Sequence, residues 1–249
     1  MATISSTTDN ILPNPNIIPS CIPTDTISIS AYQYAKIHLH PLILQHSIRV
    51  FLLAQSLSTK DLSSLPALQP TTSGVPPDLF NNTRPTTQAL FLASIFHDIG
   101  TCDDHDHAQR FEVCGADAAV SFLGSLDHRS NGGHSNSDLR EIWTAIALHT
   151  SPGLAERMSP LTRLLRIAVK ADFGAVQYRS LLDAAKIERF EAQFPRGEVE
   201  KVLGDCVAIQ AERRAESDRV IKAPQVSWPW NLLRARLEHP GWTGVNKGF

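Results

Sequence analysis

Thr86–Thr101 reads TTQALFLASIFHDIGT. Apolar residues recur here at the spacing of a helix: Leu90 and Ala93 fall on one face with His97, while Phe91 and Ile95 fall on the adjoining face with Asp98. Thr86 or Thr87 can cap the start, and Gly100 stops the run. The segment is therefore expected to be a buried helix that carries an imidazole and a carboxylate at its end. A carboxylate placed in an apolar core is costly unless a cation or good donors meet it.

The rest of the chain repeats this theme. A weak first helix is expected over Ile29–His38. A second opens at Pro41, where proline's missing N–H costs nothing, and runs to about Leu57; it sets His46 on a face with Leu42, Val50 and Leu53. Gly115–Leu126 is rich in alanine and apolar residues. Asp138 with Glu141 fits a capping box for a helix reaching about His149, which shares a face with Ile142, Ala145 and Ile146. Ser159-Pro160 opens a helix to about Phe173, with Asp172 on the face of Leu165, Ala168 and Val169. KIERFEAQF is an amphipathic helix suited to packing on a core. A long charged helix is expected from Glu198 to about Val220. Strand-like alternation bounded by tight turns is absent. The fold class is read as all-α, a helical bundle.

Between the helices lie segments of different composition. Residues 1–28 are rich in Pro, Ser, Thr and Asn and read as a disordered leader, dispensable for activity. Residues 58–85 read as a loop insertion within a single domain spanning 29–223. HRSNGGHSNS reads as a flexible loop, and residues 224–249 as an irregular tail. The four cysteines are dispersed without a C-x-x-C pair, which argues for reduced thiols over a disulfide framework or zinc-thiolate site. The formal net charge of -2 over 249 residues gives no global reason to expect nucleic acid or a membrane as partner. No secretory signal or spanning segment is apparent, so a cytoplasmic location is the default expectation.

Two imidazoles, His46 and His97, and two carboxylates, Asp98 and Asp172, thus come from core-facing helices. Each has an ordinary alternative. A lone core histidine is usually just hydrogen-bonded, and Asp172 could pair with Arg49. Together they offer mixed nitrogen and oxygen ligation, which suits zinc, iron(II) or manganese. Three or four protein ligands leave room for water. Glu112 either orients water or substrate or is a first-turn acid favoured by the helix dipole. The DDHDH run at Asp103–His107 reads as a solvated loop, with a lid or second metal site as the alternative. Trp228, Trp230 and Trp242 read as packing residues.

The order H…HD…D resembles the HD-domain superfamily, and within it the largely fungal cyanamide hydratases. The resemblance lies in LQHSIRVF, FHDIGTCD, RFEVCGADAA, IALHTSPG, KADFGAV and QFPR, over roughly Tyr32 to Arg196. It implies one metal ion held by His46, His97, Asp98 and Asp172, with His149 beside it. It further implies a hydro-lyase that adds water to C≡N, turning cyanamide into urea or acting on a related nitrile or isonitrile. Zinc is the expected metal, with iron(II) or manganese as alternatives. Asp98 and His149 are the expected catalytic residues. Glu112, Phe96, Phe111 and Phe173 are the expected substrate-binding residues of a small pocket, and a homo-oligomer is compatible with the reading. The 58–85 insertion and the DDHDH run depart from the family pattern and bear on the substrate. The competing enzyme class is an HD-type phosphohydrolase, for which the motifs supply only Arg49, Arg110 and Lys170 as nearby cations and no Gly-rich phosphate loop. A third class is a non-catalytic binding protein on the same fold.

Overall fold

The computed structural model describes residues 18–62, 65, 84–127, 135–239 and 241–242. Among them it is all-α, with eleven α-helices and no strand. The first helix, α1, spans Thr26–His38 under an Asp25 cap. The second, α2, spans Pro41–Leu57 with proline in its first turn. The third, α3, spans Thr87–Phe96, and Thr86 caps it by accepting from the backbone N–H of Ala89. A short 3-10 turn, Ile99–Thr101, follows. Next come α4 (Phe111–Asp127), α5 (Asn136–Leu148) and α6 (Pro160–Asp172). The C-terminal part adds α7 (Val176–Arg179), α8 (Ala184–Gln193), α9 (Val199–Glu212), α10 (Glu216–Lys222) and α11 (Trp228–Glu238).

The bundle is organised around α3. Every residue from Leu90 to Phe96 is buried, as expected for a helix that is apolar all round. It touches α1, α2, α4, α5 and α6. α2 packs along α6 and α3, α4 along α5, and α9 along α11. Asp172 ends α6 and His97 ends α3, so the order of the bundle carries both to one level of the core.

Several boundaries differ from the sequence reading. The α5 capping box is formed by Ser135 and Asp138, so Asp138 is its third residue and not its cap. α4 begins at Phe111, one turn earlier than Gly115. The expected long helix from Glu198 is broken between Glu212 and Glu216. No proline or glycine marks that break; it turns the chain so that Arg214 and Lys222 both reach Asp106, at 2.7 and 2.6 Å. The tail from residue 224 is not irregular throughout, because α11 forms there. Ser227 accepts from Trp230 N, Pro229 sits in the first turn, and Leu232 and Leu233 are buried.

The leader also yields part of itself to the fold. Ile22 is buried, and Asp25 accepts from Ser28 N at 2.9 Å and from Gln88 Nε2 at 2.7 Å. Residues 1–17 lie outside the described residues, as do most of 58–85 and residues 128–134 of the polar loop. No helix among the described residues is long and apolar enough to cross a membrane.

Gly100 shows how tightly the turn after His97-Asp98 is seated. A Cβ there would lie 2.0 Å from the carbonyl oxygen of Phe111 and 2.7 Å from Gly115 N. Both neighbours are backbone and cannot swing aside. Gly100→Ala is expected to destabilise the protein by about 1–3 kcal/mol or more, as forced overpacking does. Chemical denaturation checks this, and an unchanged midpoint would contradict the close approach.

Candidate metal centre

Four helices deliver the polar groups. His46 comes from the middle of α2. His97 and His149 are the residues that cap the C-termini of α3 and α5, and Asp172 is the last residue of α6. Asp98 starts the 3-10 turn after α3. Three helix C-termini therefore face the centre, and the negative end of a helix dipole favours a cation. His46 and His97 are fully buried, while Asp98, His149 and Asp172 are each 1% exposed.

The hydrogen bonds settle which way each imidazole presents its nitrogens. His97 Nδ1 lies 2.7 Å from the Ser94 carbonyl oxygen, and His149 Nδ1 lies 2.6 Å from that of Ile146. A carbonyl can only accept, so both Nδ1 atoms carry the proton. His46 Nδ1 lies 2.6 Å from Asp172 Oδ2, which also accepts. In the neutral rings all three Nε2 atoms are then bare lone pairs. They converge: His97 Nε2 is 3.2 Å from His46 Nε2, 3.1 Å from Asp98 Oδ2, and His149 Nε2 is 3.5 Å from Asp98 Oδ1. Asp98 Oδ2 is buried without a hydrogen-bond partner. Ligand atoms of His46, His97 and Asp98 all lie within 4.8 Å of one another. Lone pairs and a carboxylate crowded this closely repel unless a proton or a metal ion stands between them. This group can hold a metal ion.

Asp172 lies outside that group. Its carboxylate is taken up by His46 Nδ1 and by Arg49, whose Nε and Nη2 donate to Oδ1 and Oδ2, each at 2.8 Å. Arg196 Nη1 approaches Oδ1 at 3.5 Å and donates to the Asp172 carbonyl. The pairing with Arg49 left open by the sequence is present, and it coexists with a contact to the cluster. Asp172 stands behind His46, fixing its tautomer as outer carboxylates do for metal-binding histidines.

The titration directions follow from these contacts. Burial pulls His46 below its ordinary value despite Asp172. Burial also pulls His97 down, but the charge and hydrogen bond of Asp98 and the Ser94 carbonyl outweigh it, and His97 ends raised. Asp98 and Asp172 are pushed up by burial. His97 and His149 around Asp98, and His46 and Arg49 around Asp172, overcome this and hold both well below the usual carboxylate range.

A small pocket of ≈ 30 Å³ opens beside the cluster. His46, His97, Asp98 and His149 form its floor. Its walls include Val169, Phe173 and Leu203, with Trp228 from α11. Of the three expected phenylalanines only Phe173 lines it, with its ring 4.8 Å from that of His46. Phe96 is a core residue between Tyr34 and Phe122. Phe111 packs edge-on behind His149 and against Trp228. Glu112 does not line the pocket; it is fully buried in the first turn of α4, bound to Arg110 and Thr150. Thr150, Arg166 and Lys170 do line it and were not singled out as walls. The spacing of Arg166, Val169, Lys170 and Phe173 along one helix face was the available signal. Leu203 and Trp228 arrive from distant helices and had none.

The DDHDH run is stapled to its surroundings. Asp103–His105 form a 3-10 turn. Asp104 meets His38 at 2.8 Å and His105 Nε2 meets the Tyr34 hydroxyl at 2.9 Å. Asp106 holds the buried Lys222. Among the described residues no second group with metal-ligand geometry occurs there. The four cysteines are all free, and none belongs to the metal-ligand group.

No family model matches this chain, and no curated protein matches it.

Arg49→Met should be costly, because it strips a buried carboxylate of its bidentate partner; the loss expected is roughly 3–5 kcal/mol near neutral pH. Asp172 has a folded pKa below its ordinary 3.8. Its contribution is therefore present above that value and lost as pH falls through the folded one. The gap in stability between wild type and variant should be full at neutral pH and shrink in acid. Denaturation at both pH values measures it, and a gap that widens in acid would contradict the ion pair.

Proposed function

We propose that the His46–His97–Asp98 centre binds one divalent metal ion, zinc in the first instance, and that the protein hydrates a small C≡N compound such as cyanamide to urea. The observation that carries the metal is that Nε2 of His46 and of His97 converge on Asp98 Oδ2, at 3.6 and 3.1 Å, with His149 Nε2 beside Oδ1. The donors are nitrogen and oxygen only, which fits zinc, iron(II) or manganese. His46, His97 and Asp98 are the ligands, His149 stands beside them, and Asp172 holds His46 from behind. This departs from the four-ligand set that the resemblance to HD-domain enzymes implies. When bound, the ion supplies Lewis acidity and makes water acidic enough to act near neutral pH.

The residues of the chain then divide the remaining work. Asp98 accepts a hydrogen bond from the attacking water and orients it. As the water oxygen bonds to the electrophilic carbon, His149 Nε2 takes the water's proton. It returns that proton to the terminal nitrogen, whose lone pair forms as the C≡N π bond opens. The isourea product, which carries the hydroxyl on carbon and an imine in place of the nitrile, rearranges to urea, with atoms and charge balanced. The Ile146 carbonyl keeps His149 Nδ1 protonated and so leaves Nε2 free for this traffic. Val169, Phe173 and Leu203 limit the water reaching the carbon, and the pocket suits a small substrate.

Phosphate-ester hydrolysis is the second reading, and Arg166 and Lys170 at the pocket wall favour it. Arg49 and Arg110, the other cations near the motifs, are committed to Asp172 and Glu112. Arg166 itself is tied to Glu156 at 3.1 Å and to the His149 carbonyl at 3.1 Å.

Elemental analysis of the purified protein should give one zinc, iron or manganese ion per chain. Urea release from cyanamide should disappear with chelation. Asp98→Asn should lose metal and hydration together, whereas Asp172→Asn should weaken metal binding by roughly 10–100-fold and leave a measurable site. Phosphate release from nucleotides without urea from cyanamide would sink the hydratase reading while keeping the metal.

A further inference from the structure

Thr150 follows His149 at the end of α5 and lines the pocket. Its hydroxyl has one proton, and that proton is already committed. Glu112 is fully buried and paired bidentately by Arg110, with Nε to Oε2 at 2.9 Å and Nη2 to Oε1 at 2.6 Å. Such a carboxylate has no proton to give, so the short contact between Thr150 Oγ1 and Glu112 Oε1 is a donation from threonine. Arg110 Nη2 in turn donates to Thr150 Oγ1 at 3.1 Å. That fills one of the two oxygen lone pairs. One acceptor position remains on a hydroxyl that has been turned into an acceptor only.

We propose that Thr150 is a specificity-determining residue that accepts a hydrogen bond from a substrate N–H adjacent to the electrophilic carbon. The Arg110–Glu112 pair acts as its positioning device. The inference rests on the hydratase reading and narrows its substrate class: amino-bearing C≡N compounds are selected over nitriles without an N–H. Val169, Phe173 and Leu203 offer no acceptor to compete for that N–H. A substrate lacking it would leave the threonine oxygen unmet in a confined site, and one lost hydrogen bond of this kind amounts to about tenfold in binding. The arrangement also gives the fully buried charge of Glu112 a purpose beyond its place in the first turn of α4.

The test uses the full chain loaded with zinc, as wild type, Thr150→Val and Thr150→Ser. Valine keeps the shape of threonine, so any exclusion by size is the same in both. Binding of urea and of tetramethylurea is followed by tryptophan fluorescence, with turnover of cyanamide and N,N-dimethylcyanamide measured in parallel. Thr150→Val should weaken urea binding about tenfold and leave tetramethylurea within about twofold. It should likewise lower kcat/KM for cyanamide far more than for the dimethyl compound, and Thr150→Ser should restore both preferences. Equal losses on methylated and unmethylated ligands, or no loss on either, would overturn the proposal even if urea is released from cyanamide. Discrimination in binding without urea release would instead uphold the role of Thr150 and overturn the hydratase reading. Absence of urea binding to the wild type overturns the proposal outright.

Discussion

One buried carboxylate, that of Asp98, organises this molecule. Asp98 Oδ2 is buried without a hydrogen-bond partner, in a centre where three imidazoles present Nε2 and keep Nδ1 occupied elsewhere. An isolated carboxylate in such a place is among the most costly things a protein can bury. Histidines from α2, α3 and α5 surround it with Nε2, and three helix C-termini add their negative ends, so the centre as a whole favours a cation. Around this centre lies a second circle of fixed partners. Asp172 with Arg49 steadies His46, main-chain carbonyls steady His97 and His149, and Glu112 with Arg110 steadies Thr150 beside them. The outer circle holds the inner one in a geometry that it would not adopt alone.

Most of that inner circle was legible in the sequence, for reasons that residue spacing makes plain. His46, His97, His149 and Asp172 interrupt apolar helix faces at intervals of three and four, and only helix geometry turns those intervals into a shared side. Proline in the first turn placed the starts of α2 and α6 to the residue. The second circle was less legible. Whether Asp172 touches a metal or a guanidinium depends on a few ångströms of tertiary placement, and Arg49 was visible as a candidate partner without any means of choosing. Phe96 and Phe111 sat beside the motifs in sequence, yet helix rotation turned one into the core and the other behind His149. α11 was missed because its Trp-Pro-Trp start looks like a break, although proline in a first turn behind a serine cap is a start signal.

The C-terminal helices extend the site beyond the motif-bearing core. α9 contributes Leu203 and α11 contributes Trp228 to the pocket wall. Lys222 and Arg214 bind Asp106 and its neighbours, tying the turn after His97-Asp98 to the same end of the chain. The His-Asp cluster and the walls that shape the pocket are thus covalently distant and mechanically joined. A substitution in the DDHDH turn can therefore reach the pocket through α9 and α10 without touching the His-Asp cluster.

The central claim is that nitrogen and oxygen from His46, His97 and Asp98 meet on one ion. X-ray absorption spectroscopy of the zinc-loaded protein tests this most directly. The account predicts a low-coordinate shell of nitrogen and oxygen at about 2.0–2.1 Å, with outer-sphere scattering from at least two imidazoles and no sulfur. A shell containing sulfur, a shell of oxygen alone, or failure of the protein to retain one equivalent of metal would contradict it.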